Sequence, residues 1–149
     1  MREGRLEQCG PPRDVYGKPL TPFVASFLGN ANIFTGRLGA DRRSVDVDEL
    51  AICVRLPEEP PALLRPGAAL VLAIRPEGVV PLPPTDPGAL FTARVTEREY
   101  LGFLTLFHLR TPAGDVRSTV LSADPLASVE PGQEVGVTID PSHCSWFAA

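Results

Sequence analysis

Residues 90–121 read LFTARVTEREYLGFLTLFHLRTPAGDVRSTVL. Within them lie three runs, Leu90 to Arg98, Phe103 to Arg110 and Val116 to Leu121, rich in Val, Leu, Phe and Thr and punctuated by Gly and Pro. Such residues suit a pleated, half-buried surface, and Gly and Pro interrupt it, so the stretch predicts consecutive β-strands. Working outward, the same pattern recurs at Ile33 to Gly39, Leu50 to Leu56, Leu70 to Arg75 and Val135 to Asp140, with a last extended piece at Cys144 to Phe147. No amphipathic helix separates these runs. The fold class is therefore mainly β, an antiparallel barrel or sandwich. The connections PEEPPALLRPG and PLPPTDPG hold eight of the 17 prolines and read as loops. Because the second follows Arg75-Pro76-Glu77, the body is either two halves of one barrel or two small barrels stitched across that loop.

The first thirty residues have a different character, with a boundary near Gly29. Glu3-Gly4 predicts a turn between Met1-Arg2 and an extended run from Arg5 to Cys9, half of a hairpin. Pro11 and Pro12 suit a helix N-terminus, where a missing N–H costs nothing, and Arg13 to Tyr16 would form its single turn. Thr21 as N-cap, Pro22 at the first helical position and Gly29 past the end bracket a second helix. Phe23, Val24, Phe27 and Leu28 share one face of it, on a helix too short to stand alone in water. That face should pack on the barrel or on a further domain.

A chain of 149 residues with 44% hydrophobic and 21% charged residues can bury a core as one domain. The net charge of -4 disfavours extended contact with a phosphate backbone, which needs clustered Lys and Arg. Lys18 is the one lysine, and the arginines are scattered, Arg42-Arg43 being the one adjacent pair. Stacking platforms for single-stranded nucleic acid are also too few, Arg94, Arg98, Phe103 and Phe107 being the candidates. Cys9, Cys53 and Cys144 are odd in number and lack Cys-x-x-Cys spacing, which signals neither a disulfide framework nor a zinc site and suits reduced thiols in the cytosol. No apolar run reaches the length of a spanning helix, and the N-terminus has no signal-peptide core.

Catalytic patterns are sparse. A phosphate-cradling loop needs Gly-x-x-x-x-Gly-Lys-Ser/Thr, and Lys18 is followed by Pro19. A nucleophilic Ser or Cys needs a neighbouring base, and only His108 and His143 are available. His108 sits inside the run FLTLFHLR and reads as a filler of a strand face. His143 and Cys144 are adjacent and should point to opposite faces of an extended chain. Asp46, Asp48 and Glu49 read as a solvated strand face, since metal ligands must converge from several segments.

Residues 4–36, GRLEQCGPPRDVYGKPLTPFVASFLGNANIFTG, resemble the exit from the nucleotide-binding domain in ATPase subunits of ABC importers. Gly4, Arg5, Leu6, Gln8, Gly10, Pro12, Tyr16, Pro19, Phe23, Val24, Ala25, Phe27, Leu28, Gly29 and Asn32 supply that pattern in order. Downstream, Arg75-Pro76-Glu77 and Glu99-Tyr100-Leu101-Gly102 resemble two elements of the regulatory domain called TOBE. Gly132-Gln133 and the closing Trp146-Phe147 also fit.

The resemblance implies an oligonucleotide/oligosaccharide-binding (OB) type of barrel over residues 30–149, preceded by a tail of the nucleotide-binding domain over 1–29. It is closest to importers of polyamines, ferric iron, thiosulfate or phosphonates. The P-loop, signature and switch elements of such subunits are not among these residues, so ATP and Mg2+ would bind elsewhere and the chain alone would hold no cofactor, no metal and no catalytic residue. The implied function is a regulatory and dimerisation domain, on the cytoplasmic face of the membrane, with a second copy and the permease subunits as partners and a small regulatory ligand as a further option. Arg75 and Glu77 would link barrel to barrel or barrel to ATPase body, as against a loop fixed by Pro76 with the arginine paired locally. Tyr100 and Gly102 read as turn architecture, with a half-buried ring. The alternative is a free-standing module of the same fold that binds an oxyanion.

Overall fold

In a computed structural model, which describes residues 3–149, the start signals work as their chemistry dictates. Pro11 and Pro12 open helix α1 (Pro12–Gly17), and the Thr21 hydroxyl accepts the Val24 N–H at 3.2 Å to cap helix α2 (Pro22–Gly29). The end of α2 differs from expectation. Gly29 is still helical, and the left-handed C-cap is Asn30, at φ 48°. Glu3 and Gly4 form the expected turn, but Arg5 makes only an isolated bridge and residues 6–9 are irregular. The proposed partner Met1-Arg2 lies outside the described residues. Gln8 ties this segment down, donating to Lys18 O and accepting from Leu20 N.

Ten strands follow: β1 (Asn32–Leu38), β2 (Ser44–Val47), β3 (Ile52–Arg55), β4 (Ala69–Ile74), β5 (Val79–Leu82), β6 (Phe91–Tyr100), β7 (Leu104–Thr111), β8 (Gly114–Leu121), β9 (Glu134–Ile139) and β10 (Cys144–Ala148). They form two antiparallel five-stranded sheets, ordered β10-β4-β1-β2-β3 and β5-β9-β6-β7-β8. The division falls at the 3-10 turn Pro76–Gly78, before the second proline-rich loop, and β10 returns to the first sheet. The second sheet almost closes on itself, because the Ser118 hydroxyl on β8 donates to Val79 O on β5 at 2.6 Å. Both sheets feed one core that includes Leu38, Leu70, Leu72, Val95, Phe107 and Val137.

Two strands escaped the sequence reading for identifiable reasons. In SVDVDEL only Ser44–Val47 is strand; Asp48–Leu50 is a 3-10 turn, and Ala51 takes φ 52° before β3 begins, so Asp46 and Asp48 do not share a strand face. All three acidic residues are exposed, as expected of solvated carboxylates. The loop PLPPTDPG in fact starts as β5. Pro81 pairs with Val137, whose carbonyl bonds Leu90 N on the other side, so the missing N–H leaves the β5–β9 ladder intact. Strand β4 is apolar on successive residues because it is covered on both faces: Leu70, Leu72 and Ile74 enter the core, and Ala73 packs with Ala25, Ala31 and Phe147.

The apolar face predicted for α2 is only partly used. Val24 and its neighbour Ala25 are buried, whereas Phe27 and Leu28 are exposed, Phe27 at 69%. Phe23 and Phe27 stack on each other with centroids 5.8 Å apart. The helix turns a smaller side chain to the barrel, where Ala25 packs with Ala31 and Ala73.

Candidate functional site

Arg75 follows β4 directly, before the 3-10 turn Pro76–Gly78, and is only 9% exposed, although no carboxylate pairs with it among the described residues. Its guanidinium lies 3.5 Å from the centroid of the Tyr16 ring, and its Nη2 donates to Tyr16 O at the end of α1. Such stacking suits the flat, weakly hydrated guanidinium. The Tyr16 hydroxyl in turn donates to Glu77 Oε1 at 2.9 Å. Burial, followed by the Glu77 contact, pushes the Tyr16 phenol above its usual range, and Arg75 opposes this. Arg75 Nη1 is buried without a hydrogen-bond partner among the described residues.

Gly29 completes this junction. A Cβ there would meet Arg75 Nη1 and sit 3.5 Å from Tyr16 Cε2, so at a residue that the sequence marked as a helix stop the guanidinium would have to shift to admit any side chain. Asn32 is a second link, which sequence reading named only as part of a pattern. Its Nδ2 donates to Ile74 O and to Arg117 O, and its Oδ1 accepts from Arg117 N, joining β1 to β8 of the other sheet.

Below the junction, a groove of about 480 Å³ runs between the N-terminal helices and the outer face of the second sheet, lined among others by Tyr16, Gly29, Glu77, Glu99, His108 and Arg117. His108 Nε2 lies 3.1 Å from Glu99 Oε1. The predicted turn residues stand apart from it, at the β6–β7 hairpin. Gly102 has φ 84°, a left-handed backbone that glycine adopts without strain, and Leu101 N donates to Leu104 O across the turn. Tyr100 is 75% exposed, not half-buried, because it lies beyond the edge of the core.

The remaining candidates have structural explanations. Phe107 is 1% exposed in the core and unavailable to stack on a base. His143 contacts Asp140 and Ser142, while Cys144 turns inward with Sγ 3.7 Å from Asp140 O. Burial, with the Asp140 charge, pushes the Cys144 thiol up to about 12, which makes it a poor nucleophile. No helix among the described residues is long and apolar enough to cross a membrane.

A profile of the TOBE domain matches residues 72–147, from β4 to β10. The chain belongs to the TOBE domain family. Its curated relatives are ATP-binding subunits of ABC importers, and their similarity reaches back through the two helices. This TOBE chain is 37% identical over 153 residues to the sn-glycerol-3-phosphate import ATP-binding protein UgpC of Burkholderia thailandensis, covering 99% of this chain and 40% of that protein. It is 35% identical over 147 residues to the spermidine/putrescine import ATP-binding protein PotA of Rubrobacter xylanophilus, covering 97% and 38%. The Fe(3+) ions import ATP-binding protein FbpC 1 of Rhizobium meliloti is 35% identical over 127 residues, covering 84% and 33%. The chain thus spans about two fifths of the length of the first two relatives. UgpC lies outside the importer types that the sequence pattern suggested. Among solved structures, the cytoplasmic molybdate-binding protein ModG superposes with a TM-score of 0.60 at 18% identity, over 79% of this chain and 96% of ModG. That likeness is one of fold, and it supports the OB-like barrel.

Proposed function

We propose that this TOBE domain is the regulatory and dimerisation part of an ABC-importer ATP-binding subunit, coupling ATP hydrolysis elsewhere in the subunit to solute uptake. The observation that carries the reading is the junction of Arg75, Tyr16, Glu77 and Gly29. It fastens the barrel to the short helices that resemble the exit from a nucleotide-binding domain, through a buried cation and a glycine cut to fit it. A rigid joint of this kind lets movement of one domain bias the other, and a ligand or partner regulates only by favouring one of the two states.

ATP and Mg2+ belong, on this reading, to the preceding domain. The residues of this chain do not fit the nucleotide, since Lys18 is followed by Pro19 and no Gly-x-x-x-x-Gly-Lys-Ser/Thr stretch is present. The partners would be a second copy and the permease subunits, holding the protein at the cytoplasmic face of the membrane. The chain itself would carry out no chemistry. Sequencing the DNA upstream of the Met1 codon tests the assignment: in-frame coding for a P-loop and ABC signature is the expected result, and a stop codon or promoter would overturn it. The same fold favours a second reading, an oxyanion-binding module, for which molybdate titration of the chain should give saturable binding.

A further inference from the structure

The outer face of β6 and β7 carries three potential metal ligands, Glu97, Glu99 and His108. A β-bulge assembles them. Ala93 and Val95 point into the core, and plain alternation would send Glu97 and Glu99 after them. The register shifts between Val95 and Glu97, which sets Glu97 directly opposite His108 and Glu99 opposite Leu106, on the solvent face. One ligand atom from each of the three residues then lies within 4.8 Å of the others. Glu99 already contacts His108, but the Glu97 carboxylate makes no hydrogen bond or ion pair among the described residues, although a second carboxylate stands two residues away on the same face.

We propose that Glu97, Glu99 and His108 bind a divalent transition-metal ion, zinc being the best fit, at the edge of the groove under the Arg75 junction. One imidazole and two carboxylates form the mixed nitrogen and oxygen set that suits zinc, whereas calcium takes six or more oxygens. Three protein ligands leave a fourth position open. Tetrahedral ligands at about 2.1 Å stand roughly 3.4 Å from one another, which exposed glutamates reach by rotation of their side chains. Glu99 and His108 also line the groove, and Arg117, opposite His108 on β8, would offset a hydroxide or small anion bound to the metal. Two carboxylates balance the charge of the ion, and the bulge holds them in place whether or not the chain serves a transporter.

The test is calorimetric titration of the tag-free chain with Zn2+ alone, in a C9S/C53S background that removes the two exposed thiols. One zinc per chain is expected, with affinity lost in H108A and weakened at least about tenfold in E97Q and in E99Q. In NMR spectra the imidazole signals of His108 should shift in step with zinc while those of His143 do not. Glu97 and Glu99 are exposed, so their amide variants keep the fold and the test stays decisive. Absence of saturable binding, binding that survives H108A and E97Q, or shifts confined to His143 would each overturn the proposal.

Discussion

Gly29 separates two opposing effects. Replacing a helical glycine by alanine ordinarily stabilises by about 1 kcal/mol, through the lower entropy of the unfolded chain and better helix propensity. Here the added Cβ meets the Arg75 guanidinium, so G29A should instead destabilise by about 1 kcal/mol or more, as the stack on Tyr16 is pushed apart. In an R75A background the obstacle is gone, and the same substitution should become stabilising. Urea unfolding of the four proteins measures this reversal; additive effects would mean that Arg75 is not what makes Gly29 necessary. Cys144 gives a residue-scale pH effect. Its thiol titrates near 12 when folded, above the ordinary value of about 8.5, so the protonated form is favoured by folding. Stability from this source is intact below about pH 8.5 and lost as pH rises toward 12, and C144A should flatten that part of the alkaline unfolding curve. At pH 8, Cys9 and Cys53 should react with a thiol reagent and Cys144 only after unfolding.

Sheet closure is decided between elements. The Ser118 hydroxyl is fully buried and bonds the Val79 carbonyl, bringing β8 against β5 where no backbone ladder forms. S118A should cost about 1–2 kcal/mol in denaturant unfolding and speed amide exchange along β5, while leaving the β1–β4 ladder protected. The seven strands found by residue type were legible because each lies in a run of six or more residues rich in strand formers, even where, as at β3, only four of them pair, and the capped start of α2 was legible because Thr21 and Pro22 act locally. What stayed hidden depended on distant partners. Strand β2 has only Val45 and Val47 to announce it, and β5 holds a proline that is harmless only because Val137 bonds elsewhere. At the candidate site, Arg75 and Glu77 were visible as a pattern, but their shared partner Tyr16 lies 59 and 61 residues away. The grouping of Glu97 and Glu99 with His108 needed the bulge, which shifts the strand by one place and leaves no mark in composition.

For the molecule as a whole, the face of α2 left uncovered sets behaviour in solution. Phe27 is exposed and contributes little to the core, so F27S should leave the melting temperature nearly unchanged. Light scattering should nevertheless show weak, concentration-dependent association in the parent chain and less of it in F27S. Scattering that stays monomeric at high concentration would count against both this surface and a pairing of copies. The return of β10 has another consequence. Because Cys144–Ala148 lies beside β4, the first sheet brackets the second in sequence, like a sentence finished only after a long parenthesis. On a ribosome, residues 79–139 would emerge and could pair among themselves while β4 still waited for its outer neighbour. The first sheet to begin is therefore the last to be completed, and its unpaired edge must be kept from other chains during that interval.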